Sequence, residues 1–154
     1  MSAFPICKIR GFEFTTNKLP TAKLPTRNDK GSSGYDFYSP IETVILPGDK
    51  VKIYTGIKSY MKQDEELLLF IRSSLAIKFD LSLANDVGKV DSSYFDNPDN
   101  EGEIIVALKN NGQVPYKVNI GDKICQGTFY KYLTADKDEV INKTRNGGVG
   151  SSGK

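Results

Sequence analysis

Histidine and tryptophan are absent from this 154-residue chain, and cysteine occurs only twice. Without histidine there is no Ser-His-Asp or Cys-His nucleophilic scheme, no imidazole base and no His-ligated zinc. Cys7 and Cys125 are too far apart in sequence for a metal-type spacing, and they read as free thiols of a reducing cytosol. A strong excess of one charge is also lacking. The 21 Lys and Arg residues stand against 19 Asp and Glu, a formal net charge of +2, and no two basic residues are adjacent. That leaves no visible basic face of the kind nucleic-acid binding draws on. The longest apolar runs, residues 67–71 and 104–108, are far shorter than the roughly 20 residues of a membrane span. The first residues show no apolar core followed by a small-residue cleavage site, so no signal peptide is expected. The expectation is a cytoplasmic protein with neither a membrane nor a nucleic-acid partner. Any catalysis falls to carboxylates, Arg and Lys, hydroxyls, amides, backbone N–H groups and borrowed metal ions.

What the chain does have is β-like periodicity. Residues 43–54 read as strand, turn and strand around Pro47-Gly48-Asp49, because Pro presets φ and Gly permits positive φ. Residues 66–71 read as a short buried strand, and residues 81–90 as a tight hairpin around Asn85-Asp86. Residues 103–108 form a nearly continuous apolar strand that ends at the turn Asn110-Asn111-Gly112. Another strand–turn–strand covers residues 116–133. Helical spacing never holds for three turns, and one short helix is expected after Ser73-Ser74-Leu75-Ala76. The fold class expected is therefore all-β, a barrel or sandwich of many short strands. The end of the chain differs. Residues 144–154 hold Gly147, Gly148, Gly150 and Gly153, with Arg145 and Lys154. Such a segment reads either as a disordered terminus or as a flexible phosphate clamp, since glycine lets backbone N–H groups approach phosphate oxygens.

Single polar clusters say little, but their order says more. Leu24-Pro25-Thr26-Arg27 leads into Gly34-Tyr35-Asp36. Then come Ile71-Arg72-Ser73-Ser74-Leu75-Ala76, the run from Asn85 to Tyr94 with Asn-x-x-Gly-x-x-Asp-x-x-Tyr spacing, Gly121-Asp122-Lys123-Ile124-Cys125-Gln126, and the glycine-rich tail. In this order the segments resemble the motifs of the trimeric-type dUTPase family. The resemblance implies a distorted jelly-roll-like β-barrel over residues 1–142 and a flexible arm over 143–154 that closes over the active site. It also implies hydrolysis of dUTP to dUMP and pyrophosphate with Mg2+, by a homotrimer whose three sites are each built from all three chains. One chain would supply Arg72, a second the hairpin, and the third its tail.

The same resemblance assigns roles. Asp91 matches the family's general base, which orients a water for attack on the α-phosphorus, a task that suits a carboxylate. Gln126 matches a group near the α-phosphate and that water. Tyr94 would pack under the deoxyribose and leave no room for a 2′-hydroxyl. Asn85 would read uracil with the hairpin around Gly88 and Val90, because an amide offers both a donor and an acceptor. Arg72, Ser73 and Ser74 would grip phosphates, Arg being suited to bidentate contact. Arg145, Gly147, Gly148, Val149, Gly150, Ser151 and Ser152 would close over the nucleotide. Asp36 would reach Mg2+ through water, with the ion carried mainly by the triphosphate.

Three features depart from the family pattern. Val149 stands where a phenylalanine usually stacks on uracil. The tail arginine is displaced, with Arg145 the substitute and Lys143 a weaker one. Residues 95–101, seven in number, separate Tyr94 from Gly102 where one residue is usual. They read as an exposed acidic turn, a surface insertion of low cost, with a protein-partner contact or lid as the sharper alternative. A relative of dCTP deaminase fits less well, because Ala107 occupies the position of that family's catalytic glutamate. A nucleotide-gated regulatory protein and a hydrolase of broad base tolerance are the other readings.

Overall fold

β-Branched and aromatic residues alternate with polar ones along most of the chain, and the computed structural model describes residues 7–141, 144–145, 147–150 and 153. The strands, in chain order, are β1 (Gly11–Phe14), β2 (Thr26–Arg27), β3 (Tyr35–Tyr38), β4 (Thr43–Ile45), β5 (Lys50–Tyr54), β6 (Ile57–Tyr60), β7 (Glu65–Phe70), β8 (Leu81–Leu83), β9 (Gly88–Asp91), β10 (Ile105–Asn110), β11 (Tyr116–Val118) and β12 (Lys123–Lys131). The expected short helix is α1 (Ser73–Phe79), and a 3-10 turn spans Ser92–Tyr94. Among the described residues no helix is long and apolar enough to cross a membrane.

The strands pair in four antiparallel groups: β1 with β6, β5-β10-β8, β11 with β4, and the five-stranded sheet β2-β3-β12-β7-β9. Neighbours in sequence therefore tend to join different sheets. β4 and β5 flank the expected turn, where Gly48 takes φ 83°, yet β4 pairs with β11 and β5 with β10. β11 and β12 part in the same way across Gly121, at φ 85°. The hairpin expected around Asn85-Asp86 needs correcting for the same reason. The turn is present, with Asp86 N–H donating to Leu83 O at 3.1 Å and Val87 N–H to Asn85 O at 2.7 Å. Its arms do not pair with each other, however: β8 joins β10 and β9 joins β7. Leu81, Leu83 and Val90 are all buried, so each arm completes a different wall of one core. Handing successive strands to opposing sheets gives the jelly-roll-like, all-β architecture.

Burial alternates strictly along β7, where Glu65, Leu67 and Leu69 point inward. Phe37, Ile53, Leu67, Leu108 and Val118 are fully enclosed, and each large apolar side chain so buried contributes about 1.5–3 kcal/mol. β12 crosses this core through Gly127. A Cβ there would lie 3.0 Å from both Leu69 Cδ2 and Phe37 Cε2, so glycine lets β12 pass tightly between its neighbours. The Asn110-Asn111-Gly112 turn is tied down from inside, as Asn110 Nδ2 donates to Ile45 O at 2.9 Å and to Val114 O at 2.8 Å. Cys7 is exposed and Cys125 buried, and both are free thiols. Burial pushes the Cys125 thiol well up, and the nearby charge of Asp36 adds to this.

Candidate active site

The residues expected at the phosphates and metal gather at one end of β7. Strand register sets Asp36 opposite Gln126, and Gln126 opposite Phe70. Two positions past Phe70, Arg72 holds the N-cap position of α1 in extended backbone, with Ser73 and Ser74 opening the helix beside it. Arg72 Nε lies 3.1 Å from Asp36 Oδ1, and Lys123 Nζ lies 2.8 Å from Asp36 Oδ2. The Asp36 side chain is only 10% exposed, and two cations compensate its charge, as a buried carboxylate requires. Both cations stay partly open to solvent. The Gln126 amide packs closely against the backbone of the Gly34-Tyr35-Asp36 segment. A Cβ on Gly34 would come to 2.6 Å from Gln126 Oε1, so glycine at 34 makes room for the amide.

No group of three or more His, Cys, Asp or Glu side chains able to hold a metal occurs among the described residues. Both Asp36 oxygens already face cations. This donor chemistry fits a hard dication only where the ligand brings it, with Asp36 reached through the ion's water shell.

The residues expected at base, sugar and water gather along β9 on the other side of β7, from Gly88 opposite Leu69 to Asp91 opposite Glu66. A cavity of about 230 Å³ is lined by Asn85, Gly88, Val90, Asp91 and Tyr94, by Leu69 and Ile104 of the core, and by Arg145, Val149 and Gly150 of the tail. Gly88 is buried against β7, where an added Cβ would lie 3.0 Å from Leu69 Cβ. Asp91 closes β9 opposite Glu66, and the 3-10 turn that follows carries Tyr94 into the wall. The Tyr94 hydroxyl donates to Glu103 O at 2.8 Å and accepts from Asn100 Nδ2 at 2.8 Å. With both bonds made, the ring is fixed. Burial raises the phenol pKa, against the opposing Asn100 hydrogen bond, so the wall stays neutral through the physiological range.

The described tail residues rest on this hairpin. Arg145 Nη1 donates to Asp91 Oδ2 at 3.2 Å, and its guanidinium lies 5.1 Å from the centre of the Tyr94 ring. Arg145 Nε donates to Gly147 O at 2.9 Å, which curls the segment. Gly147 and Gly148 are buried, while Val149 is 78% exposed at the cavity mouth. Ser151, Ser152 and Lys143 lie outside the described residues, as does the junction expected at 142–143.

The 95–101 stretch is a turn with Asp96, Pro98 and Asp99 exposed, as its composition suggests, but its centre is buried. Asn97 is 4% exposed, and its Nδ2 donates to Tyr94 O at 2.8 Å. Sequence reasoning missed Asn97 and Asn100, and it also missed Lys123 as the second cation on Asp36. Asn-Pro-Asp-Asn spells a turn whichever way its amides point, and the available signal was its place directly after Tyr94. Asp91 and Gln126 lie apart along β7 within one chain. Asp91 faces Glu66 and Gln126 faces Phe70, so the partners are four residues apart on β7, about 13 Å at the usual strand rise.

Comparison with known proteins identifies the family. The family model described as dUTPase matches residues 21–153. A relative from Lactococcus lactis subsp. lactis, named deoxyuridine 5′-triphosphate nucleotidohydrolase, is 39% identical over 95% of this chain and 99% of its own length. The crystal structure of the dUTPase from Streptococcus mutans superimposes with a TM-score of 0.76 at 38% identity, covering 82% of this chain and 98% of that one. The dUTPase of phage phi11 of S. aureus, in a mutant structure that details coordination of a structural Mg(II) ion, shares the fold with a TM-score of 0.72 at 22% identity, over 87% of this chain and 97% of that one. With a family match running from the loop before β2 into the glycine-rich tail, and a relative aligned over nearly its whole length, the chain belongs to the dUTPase family.

Proposed function

We propose that this chain hydrolyses dUTP to dUMP and pyrophosphate, with Asp91 as general base. The supporting observation is the cavity where a carboxylate (Asp91), a fixed aromatic wall (Tyr94) and an exposed amide (Asn85) converge. Asp91 accepts a proton from a water as that water's oxygen bonds to the α-phosphorus. The bond from the α-phosphorus to the oxygen bridging to the β-phosphate breaks, and pyrophosphate leaves with that oxygen. Gln126 steadies the water and the α-phosphate. Tyr94 lies under the deoxyribose and rejects a 2′-hydroxyl by lack of room. Asn85 and the backbone of Gly88 and Val90 read uracil, in a hairpin too tight for the thymine methyl group.

Arg72, Ser73 and Ser74 hold the phosphates, and Asp36 with Lys123 fixes the direction of Arg72. Arg145 pairs with Asp91 in the structure, and a triphosphate of about four negative charges competes for it. Its transfer to phosphate frees the base and brings Gly147, Gly148, Val149, Gly150, Ser151 and Ser152 over the nucleotide. Mg2+ would be held mainly by the triphosphate, with Asp36 the residue able to reach it through water, and would neutralise charge on the leaving pyrophosphate. The separation of Asp91 from Arg72 and Gln126 along β7 supports sites shared between copies, which a homotrimer satisfies.

The deciding measurement is pyrophosphate release with Mg2+ from dUTP, dTTP, dCTP and UTP, by the unaltered chain and by Asp91→Asn. Release from dUTP alone, falling about 10²–10⁴-fold in the variant, is the expected result. Release that survives the loss of Asp91, or no release at all, would overturn the reading.

A further inference from the structure

We infer that Lys123 is a further binding residue of the phosphate site, delivered there by a β-bulge, and that it contacts the terminal phosphates of the nucleotide directly. The inference rests on the reading above for the identity of that ligand.

Strict alternation along β12 would not bring Lys123 to this site. Opposed residues of an antiparallel pair project from the same face, and Gln126 opposite Asp36 puts both on the face of the phosphate site. Continued regularly, the pairing would set Ile124 opposite Tyr38 on that face, and Lys123 opposite Ser39, which is fully buried. The chain does neither. Between Lys123 and Cys125 the register shifts, so that two residues of β12 pass one of β3 and Lys123 stands opposite Tyr38. Ile124 and Cys125 are buried in succession. Lys123 and Gln126, an odd number of positions apart, therefore share the Asp36 face. A bulge interrupts the ladder and re-aims a side chain. Here the side chain it re-aims is a lysine, whose Nζ comes to 2.8 Å from Asp36 Oδ2.

The charge at the site gives that lysine a task beyond Asp36. Arg72 and Asp36 alone cancel, since Arg72 Nε lies 3.1 Å from Asp36 Oδ1. Lys123 leaves the three groups with a net positive charge, where a triphosphate brings about four negative ones. The Lys123 side chain is partly open to solvent. An ammonium that serves one carboxylate oxygen keeps further N–H donors for phosphate oxygens, and its flexible stem lets it follow them. Gln126 is the residue expected at the α-phosphate. Lys123 lies farther along β12 on the same face, which puts it at the phosphates beyond the α-position.

Calorimetric binding to the full-length chain is the test, with inorganic triphosphate, dUMP and an uncleavable imido analogue of dUTP as ligands. Lys123→Met keeps the apolar stem and leaves Asp36 paired with Arg72. It should weaken triphosphate and the analogue about tenfold, the effect of losing one charge-assisted hydrogen bond, with dUMP unchanged. Lys123→Arg should restore most of the loss. The same loss should appear when Lys123→Met is added to Asp36→Asn, where the lysine no longer has a carboxylate to hold. A loss confined to chains that keep Asp36 would mean that Lys123 acts only by aiming Arg72, and it overturns the contact. Equal binding of triphosphate and of the analogue by the unaltered chain and Lys123→Met overturns it too, as does a loss that extends to dUMP. Inorganic triphosphate carries neither base nor sugar. If the unaltered chain releases no pyrophosphate from dUTP while Lys123→Met still weakens triphosphate, the dUTPase reading fails and the phosphate contact stands.

Discussion

At the Phe70 end of β7 the functional groups are held by charge. Asp36 lies between Arg72 and Lys123, and strand register delivers Gln126 beside it. At the Glu66 end, the groups around Tyr94 are held mainly by neutral hydrogen bonds, through the amides of Asn97 and Asn100 and the carbonyl of Glu103. The difference follows from what each end must do. Phosphate oxygens call for cations, and cations need a buried carboxylate to aim them. A sugar and a base call for fixed shape, and a network of amides gives shape without adding charge beside a base that must stay free to take a proton.

The charge-held end should be the more costly to break. Asp36→Asn leaves Arg72 and Lys123 side by side without their shared counter-ion. Removing one partner of a buried pair costs about 3–5 kcal/mol, and the lower part of that range is expected here because the two cations are about a third exposed, at 31% and 34%. Thermal unfolding should show the loss, and KM for dUTP should rise as Arg72 loses its aim. An unchanged KM in a destabilised variant would reduce Asp36 to a stability residue and weaken the contrast between the two ends.

A smaller effect is expected where the shape-held end is incomplete. Val149 reaches the cavity but is 78% exposed, and an aliphatic side chain cannot stack on a base. Val149→Phe should gain about 1 kcal/mol of stacking on uracil, read as a several-fold lower KM for dUTP with little change for a nucleotide lacking a base. An unchanged KM would mean that residue 149 does not meet the base when the tail is closed.

The two ends also differed in how far the sequence revealed them. Arg72, Asp91, Tyr94 and Gln126 stood out, with Gly34 and Gly88, because spacing and residue type coincide with a family pattern, and the structure adds that both glycines sit in close contact with a neighbouring strand's side chain. The all-β class followed from periodicity, and the short helix α1 from the run Ser73-Ser74-Leu75-Ala76. Strand partners did not. The arms around Asn85-Asp86 read as a hairpin because local turn chemistry is all a sequence displays, whereas their choice of β10 and β7 depends on which wall lacks a strand. Lys123 was hidden for the same reason, since only the β3–β12 ladder brings it to Asp36. The direction of Asn97 and Asn100 depends on a hydroxyl several residues back, so their residue types signalled a turn and nothing more.

The smallest expected effect separates charge from shape within one end of β7. Glu65 lies next to Glu66, the partner of Asp91, yet it is held ionically, as Arg10 Nε donates to its Oε2 at 3.1 Å and the Lys62 N–H to the same oxygen at 3.1 Å. The Arg10 hydrogen bond, ahead of the opposing effect of burial, holds the carboxyl below its ordinary value of 4.5. A depressed folded pKa means that the charged form is bound more tightly in the folded chain. The stability it contributes is then full above the unfolded value and drains away as pH falls through the lower folded one. Glu65→Gln should therefore melt a few degrees below the unaltered chain at neutral pH, and the two melting curves should converge as the solution is taken well below pH 4.5. Asn100→Ala carries no such titration, so its deficit should stay constant across the same range. A deficit in Glu65→Gln that persists in acid would show that packing, and not the Arg10 pair, holds this end together, and the neutral network would then account for all of it.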